Sequence, residues 1–330
     1  MNVLRLVFLG SDPIALPLLN WLAGEGKGCA EVVAVFTQPD RATGRGQKIT
    51  ANTIKEWAEA RSLPVFQPEK LTEEVRAQLA ALQADVALVM AYGHILRQEF
   101  IDTPRLGTLN LHTSRLPKYR GASPIQTAIA NGEKDTAVTL MRIVRELDAG
   151  PVADCEPVTI GSLDTALEVE GKLAAACGPL LARALPRLAK GTLAFTEQKH
   201  GMATFCRKLA KDDGRLDFSQ SAAVLAARIN GLFPWPACTV EMNGVPVKLG
   251  LADVIAGQTA AGEPGEILGS DECGVLIRTG DGGLRIRRLQ RPGGRMLPAA
   301  EFGRGFPLTP GARLGSQPLP TLVAAKPFPR

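Results

Sequence analysis

Asn110 and His112 stand two residues apart in Leu109-Asn110-Leu111-His112, at the end of a short apolar run. On a strand, residues i and i+2 face the same side, so a carboxamide donor and an imidazole point at one region of space. Such a pair can serve a reaction in which an oxygen gains negative charge: a preorganised donor aimed there lowers the barrier by about 3–4 kcal/mol, and an imidazole can take up and return protons. Taken by themselves, the two residues also read as a satisfied core histidine beside a turn asparagine. Asp148, in Leu147-Asp148-Ala149-Gly150, reads by itself as a turn residue.

The elements around these residues are written in hydrophobic periodicity. Leu4 to Leu9, Val32 to Thr37, Val65 to Gln67, Val86 to Met90 and Ala137 to Ile143 read as strands, alternating with helical patterns at Leu16 to Ala23, Thr53 to Arg61 and Thr72 to Leu82. Strand and helix in turn predict an α/β domain, a doubly wound, mostly parallel, Rossmann-like sheet. Open sheets of this kind bind ligands beyond the carboxyl ends of their strands, where Asn110 and His112 fall. The first such end carries Gly10-Ser11-Asp12-Pro13, whose single glycine disfavours NAD, because a pyrophosphate needs a barer backbone to approach.

A long helical pattern, Thr165 to Leu188, ends at Lys190 and Gly191, and the pattern then changes. After a helix at Ser219 to Asn230, short strands at Thr239 to Met242, Val247 to Leu249, Gly265 to Leu268, Gly274 to Arg278 and Leu284 to Leu289 predict a small OB-like β-barrel. The expected division is a catalytic domain over 1–190, a linker over 191–207, a barrel domain over 208–315 and a proline-rich, loose tail over 316–330. Trp235, between two prolines, reads as a core anchor.

The six cysteines are scattered singly, without CxxC pairs or histidines at ligand spacing, so metal and disulfide roles are disfavoured and each reads as a small buried hydrophobe. Free thiols, and an N-terminus fitting neither a signal peptide nor a membrane span, lead us to expect a cytoplasmic protein. From Arg207 onward, 16 lysines and arginines face 11 acidic residues, whereas residues 1–206 balance at 22 each. The whole excess of +5 therefore sits in the C-terminal part, which suits a polyanionic partner and equally a solvated basic face.

The segment Asn110-Leu111-His112-Thr113-Ser114-Arg115-Leu116-Pro117-Lys118-Tyr119-Arg120-Gly121, followed later by Asp148-Ala149-Gly150, resembles the folate-dependent formyltransferases. The resemblance spans Arg5 to Gly315. It implies that Asn110, His112 and Asp148 form the catalytic group and that 10-formyltetrahydrofolate is the co-substrate. It places the pterin against Met90, Ala91, Tyr92, Gly93 and Ile95, with Ser114, Arg115, Leu116 and Pro117 beside the carrier. His94, within the first of these loops, also reads as a solvent-facing residue.

The trio does not choose the acceptor, since the family includes enzymes acting on nucleotides, amino sugar nucleotides and aminoacylated tRNA. Two further features bear on it. The loop Pro39-Asp40-Arg41-Ala42-Thr43-Gly44-Arg45-Gly46 with Lys48 is similar to the acceptor loop of the tRNA-formylating members, and a basic, glycine-bearing loop can follow a phosphate backbone. The basic C-terminal segments resemble theirs too, and an OB-like face suits RNA. The resemblance thus implies formyl transfer to methionyl initiator tRNA, with Arg41, Arg45 and Lys48 touching the tRNA, by a monomer without membrane contact. The alternatives are an amino sugar nucleotide acceptor, or an RNA-binding protein without catalysis. Gly10-Ser11-Asp12-Pro13, Arg115 and Ala42 depart from the family pattern without touching the trio.

Overall fold

The computed structural model describes residues 3–43, 46–255 and 262–329. The chain forms two compact units, one of residues 3–120, 137–158 and 170–202, the other of residues 121–136, 159–169 and 203–329. Each is interrupted in sequence by the other.

In the first unit, β1 (Leu4–Leu9) lies between β2 (Ala30–Phe36) and β6 (Val86–Val89), parallel to both. β5 (Val65–Phe66) adds in parallel beyond β2, and β7 (Thr108–His112) beyond β6. β9 (Asp135–Arg142) and β10 (Val152–Thr159) complete the order β10-β9-β7-β6-β1-β2-β5. β6 is buried along its whole length, which is why Val-Ala-Leu-Val reads as a continuous apolar run and not as an alternation. The helices α1 (Leu16–Ala23), α2 (Thr53–Glu59), α3 (Glu73–Ala81) and α4 (Gln98–Ile101) fill the crossovers. Asn52 and Thr72 cap α2 and α3 by accepting from the backbone N–H of Lys55 and Val75.

The sheet is parallel-rich as expected, and its exception matters for the site. β9 runs antiparallel to β7, with Asn110 opposite Met141 and His112 opposite Thr139. The chain moves outward from β1 through β2 to β5, then returns to the other side of β1 as β6, so the carboxyl ends of β1 and β6 flank a crevice. Gly10 lets these ends approach, since a Cβ there would collide with the Met90 carbonyl oxygen and the Phe8 ring. The Ser11 N–H then donates to the Ala91 carbonyl at 3.2 Å.

The basic segment expected to be a loop is partly paired. β3 (Arg41–Thr43) and β4 (Lys48–Thr50) form an antiparallel hairpin. Its base is held by Asp40, whose carboxylate accepts from Lys55 Nζ at 2.6 Å and Gln67 Nε2 at 2.7 Å. Those two hydrogen bonds keep the Asp40 carboxyl below its ordinary range.

In the second unit an antiparallel half-barrel has the order β12-β13-β16-β15-β14. Its strands are β12 (Cys238–Met242), β13 (Val245–Ile255), β14 (Ile267–Ser270), β15 (Val275–Arg278) and β16 (Gly283–Gln290), with β17 (Leu297–Pro298) beside β16. Inward-facing Val247, Leu249, Ile277, Leu284, Ile286 and Leu289 build its core with Phe218. α7 (Ala222–Leu232) packs on this core and against α5 (Pro124–Ala130), a helix that sequence periodicity did not reveal.

Two expectations for this region are corrected. Trp235 is 55% exposed, because α7 ends at Leu232 and a turn closed by Ala237 N–H to the Leu232 carbonyl swings residues 233–236 outward. The tail is docked, not loose. β11 (Phe205–Cys206) pairs with β18 (Val323–Ala324), Leu322 is buried, and Arg207 and Arg228 donate to the Thr321 and Pro320 carbonyls. Further elements are the 24-residue α6 (Ala166–Ala189), α8 (Ala299–Gly305) and the two-residue β8 (Arg120–Gly121). Among the described residues no helix is long and apolar enough to cross a membrane.

Of the cysteines, Cys177, Cys206 and Cys238 are buried as expected, but Cys155 and Cys273 are exposed on strand and turn positions. Burial pushes the Cys177 and Cys238 thiols up to about 12, which leaves them protonated and unreactive.

Candidate active site

β7 delivers Asn110 and His112 to the carboxyl edge of the sheet, on one side of the strand. Asp148 arrives from the turn between β9 and β10, with a left-handed backbone at φ 49°. Its Oδ2 lies 3.7 Å from His112 Nδ1, with both side chains largely withdrawn from solvent. That separation is too long for a hydrogen bond and within ion-pair range when the imidazole is protonated. The half-buried Asn110 carboxamide makes no side-chain hydrogen bond among the described residues, so its N–H groups remain available to a ligand.

The other side of the His112 ring fixes its chemistry. Nε2 lies 2.9 Å from the Tyr119 carbonyl oxygen. A carbonyl only accepts, so Nε2 carries a proton and Nδ1 is the nitrogen that gains or loses one. Nδ1 is also the atom facing Asp148. The loop that supplies the Tyr119 carbonyl is internally braced. Ser114 Oγ donates to the Lys118 carbonyl at 2.7 Å, and Thr139 Oγ1, opposite His112 on β9, donates to the Ser114 carbonyl at 2.6 Å. Arg115 is exposed on this loop, while Leu116 and Pro117 are half-buried.

The segment after β6 borders the same edge. Met90 and Tyr92 are buried, whereas Ala91, Gly93 and Ile95 are exposed, Ile95 at 75%. Ala91 and Gly93 have positive φ. Burial pushes the Tyr92 phenol up, and its oxygen has no hydrogen-bond partner among the described residues. His94 is half-buried against Tyr92, not solvent-facing, and burial holds its imidazole below the ordinary value, aided by the Arg41 charge.

Of the basic residues, Arg41 and Lys48 are exposed on the hairpin, and Arg45 lies outside the described residues. Sequence reasoning missed Gln38, whose amide links this hairpin to the β6 loop. Its Nε2 donates to the Tyr92 carbonyl at 3.1 Å and its Oε1 accepts from Arg41 at 3.0 Å. It also missed Gln198, which bonds the Asp148 turn. Neither carries a sequence signal, because a single glutamine in a loop has no periodicity or motif to mark it.

Two clefts are lined entirely by other residues. One, of about 470 Å³, runs between α1 and α6 beside Trp21 and Gly178, and the other, of about 560 Å³, is bordered by Lys211, Arg215, Glu241 and Arg313 in the second unit. No cluster of three or more potential metal ligands occurs among the described residues. An amide donor, an imidazole with a defined proton-exchanging nitrogen and a carboxylate behind it make a centre for moving an acyl group to an amine.

The family model described as Formyl transferase matches residues 4–185, and the one described as Formyl transferase, C-terminal domain, matches residues 208–307. The chain belongs to the formyl transferase family. Methionyl-tRNA formyltransferase of Ralstonia nicotianae is 39% identical over 327 residues, covering 96% of this chain and 99% of that protein. Within the family the chain therefore groups with the methionyl-tRNA formyltransferases. Among solved structures, an N-formyltransferase from Helicobacter canadensis in complex with folinic acid and dTDP-3-aminofucose matches with a TM-score of 0.66 at 18% identity, covering 88% of this chain and 100% of that one. Methionyl-tRNA formyltransferase from Clostridium thermocellum matches with a TM-score of 0.54 at 13% identity, covering 78% and 96%. At these identities the two structures speak to the fold.

Proposed function

We propose that this enzyme transfers the formyl group of 10-formyltetrahydrofolate to the free amino group of methionyl initiator tRNA, with Asn110, His112 and Asp148 as its catalytic group. The observation that carries this reading is the approach of Asp148 to His112 Nδ1 at the sheet edge where Asn110 also projects. The amine attacks the formyl carbon. Asn110 donates to the oxygen as it becomes negative. His112 Nδ1 takes the proton released by the attacking nitrogen, the Asp148 carboxylate stabilises the resulting imidazolium, and Nδ1 returns the proton to the departing folate nitrogen. Atoms and charge balance without a covalent enzyme intermediate or a metal.

The folate carrier is assigned to Met90, Ala91, Tyr92, Gly93 and Ile95, and to Ser114, Arg115, Leu116 and Pro117. The tRNA is assigned to Arg41, Arg45 and Lys48 and to the C-terminal basic surface. There Arg287 is paired with Asp253 and Arg215 with Asp212. Arg288, Arg291 and Arg295, at the end of β16 and the turn that follows, are exposed and have no acidic partner among the described residues, which leaves them for phosphates. We place the catalytic domain at 1–190, the linker at 191–207 and the tRNA-binding domain at 208–315, in a monomer acting in the cytoplasm.

Purified protein incubated with 10-formyltetrahydrofolate and charged initiator tRNA should yield formylmethionine. A parallel incubation with an amino sugar nucleotide should yield no formylated product. Formylation of the sugar and not the tRNA would overturn the acceptor. If His112→Ala leaves turnover intact, the catalytic assignment fails.

A further inference from the structure

Gln198 falls in the stretch expected to be a linker, outside every motif. Its side chain is buried, with the residue 7% exposed. Nε2 donates to the carbonyl oxygens of Asp148 at 2.9 Å and Gly150 at 2.7 Å. Oε1 accepts from Arg120 Nε at 3.2 Å and Arg120 Nη2 at 2.7 Å. Both donors and both lone pairs of the amide are thus engaged.

Arg120 sets the direction of this amide. A guanidinium only donates, so it holds Oε1 towards itself and obliges the NH₂ group to face the turn. Arg120 is itself buried, and its Nη2 also reaches His200 Nδ1 at 3.2 Å. Burial lowers the pKa of this guanidinium and the Asp148 and Glu146 charges counter it, so the group stays a cation.

The two carbonyls that Gln198 grips bracket Ala149. Pinning them fixes the peptide planes that follow Asp148 and Gly150 and, with the first of these, the backbone from which the Asp148 side chain leaves in a left-handed conformation. That conformation is sparsely populated by residues with a Cβ, so contacts that pin the turn help to hold it. We propose that Gln198, oriented by Arg120, is the positioning residue that holds Asp148 against His112 during formyl transfer; this rests on the assignment of Asp148 and His112 to the reaction.

The test compares Gln198→Glu and Gln198→Met in the full-length enzyme, alone and combined with Asp148→Ala, using steady-state formylation of charged initiator tRNA. Gln198→Glu keeps an acceptor for Arg120 and removes the donors to the turn; Gln198→Met removes both at similar size. Each should lower kcat on the order of 100-fold, the effect of a misplacement of about 1 Å, with KM for both substrates changed by less than about threefold. In the Asp148→Ala background neither should lower kcat further, because the residue acts through Asp148. An equal loss in both backgrounds, or a change confined to KM, overturns the proposal. So does wild-type kcat in either folded variant, with folding followed by thermal melting. If Asp148→Ala is inactive while the Gln198 variants are normal, only this proposal falls. If Asp148→Ala is fully active, the site assignment falls and takes this proposal with it.

Discussion

Asn110 and His112 differ in how firmly their surroundings commit them. The His112 ring is anchored at Nε2 by the Tyr119 carbonyl, and the Asn110 amide is left to its ligand. On the role proposed for Asn110, its replacement with alanine removes one oxyanion donor, so kcat should fall about 10²–10³-fold, some 3–4 kcal/mol, with little change in KM for tRNA. Single-turnover formylation with both substrates saturating measures this directly. Replacing His112 with alanine should lower turnover by orders of magnitude while tRNA affinity, followed by filter binding, persists. The pair was readable in the sequence because spacing two on a strand is a geometric statement. Asp148 was readable only through its motif, since no periodicity says that a turn after β9 comes within 3.7 Å of β7. Which nitrogen of His112 exchanges its proton was beyond the sequence altogether, because it depends on a carbonyl seven residues further on.

Periodicity located nearly every strand of the parallel sheet to within two residues, since buried parallel strands are continuous apolar runs. It overlooked β10, whose Val152–Thr159 segment is half-exposed and mixes Asp, Cys and Glu, and α5, a seven-residue helix opened by proline. The packing of α5 on α7 leaves a sharp test. A Cβ at Gly231 would lie 2.7 Å from the Gln126 carbonyl oxygen, so Gly231→Val should cost about 1–3 kcal/mol by overpacking, seen as a lower denaturant midpoint. Asp213 offers a second. Burial raises its pKa, but the Arg207 guanidinium and the Ala210 N–H outweigh this and hold the carboxyl below its ordinary value of 3.8. A depressed folded-state pKa gives stability that is complete above 3.8 and lost as pH falls through the lower folded value. Asp213→Ala should cost about 3 kcal/mol at neutral pH, because the Arg207 charge and the Ala210 N–H lose their partner. Its stability should fall less steeply in acid than that of the parent, because other lowered carboxyls such as Asp40 remain, and urea titrations between pH 2 and pH 7 would resolve the difference.

Charge is balanced over residues 1–206 and positive beyond. The structure adds which cations are already neutralised, information that counting cannot supply. If Arg288 and Arg291 meet phosphates, changing each to glutamine should weaken tRNA binding and reduce the slope of log K against log salt by about one. Formylfolate binding should be unaffected in the same proteins. Unchanged slopes would move the RNA footprint elsewhere on the chain. The docked tail carries its own prediction. A protein ending at residue 315 loses the buried Leu322, worth about 1.5–3 kcal/mol, and should melt earlier than the full chain. Because β18 closes against β11 and the second unit draws on three separate stretches of sequence, a chain emerging from the ribosome can gather the first unit once residue 202 is free. The second has to wait until synthesis passes residue 324. Its exposed apolar strands must meanwhile be shielded, so chaperone demand during translation should peak in this last third.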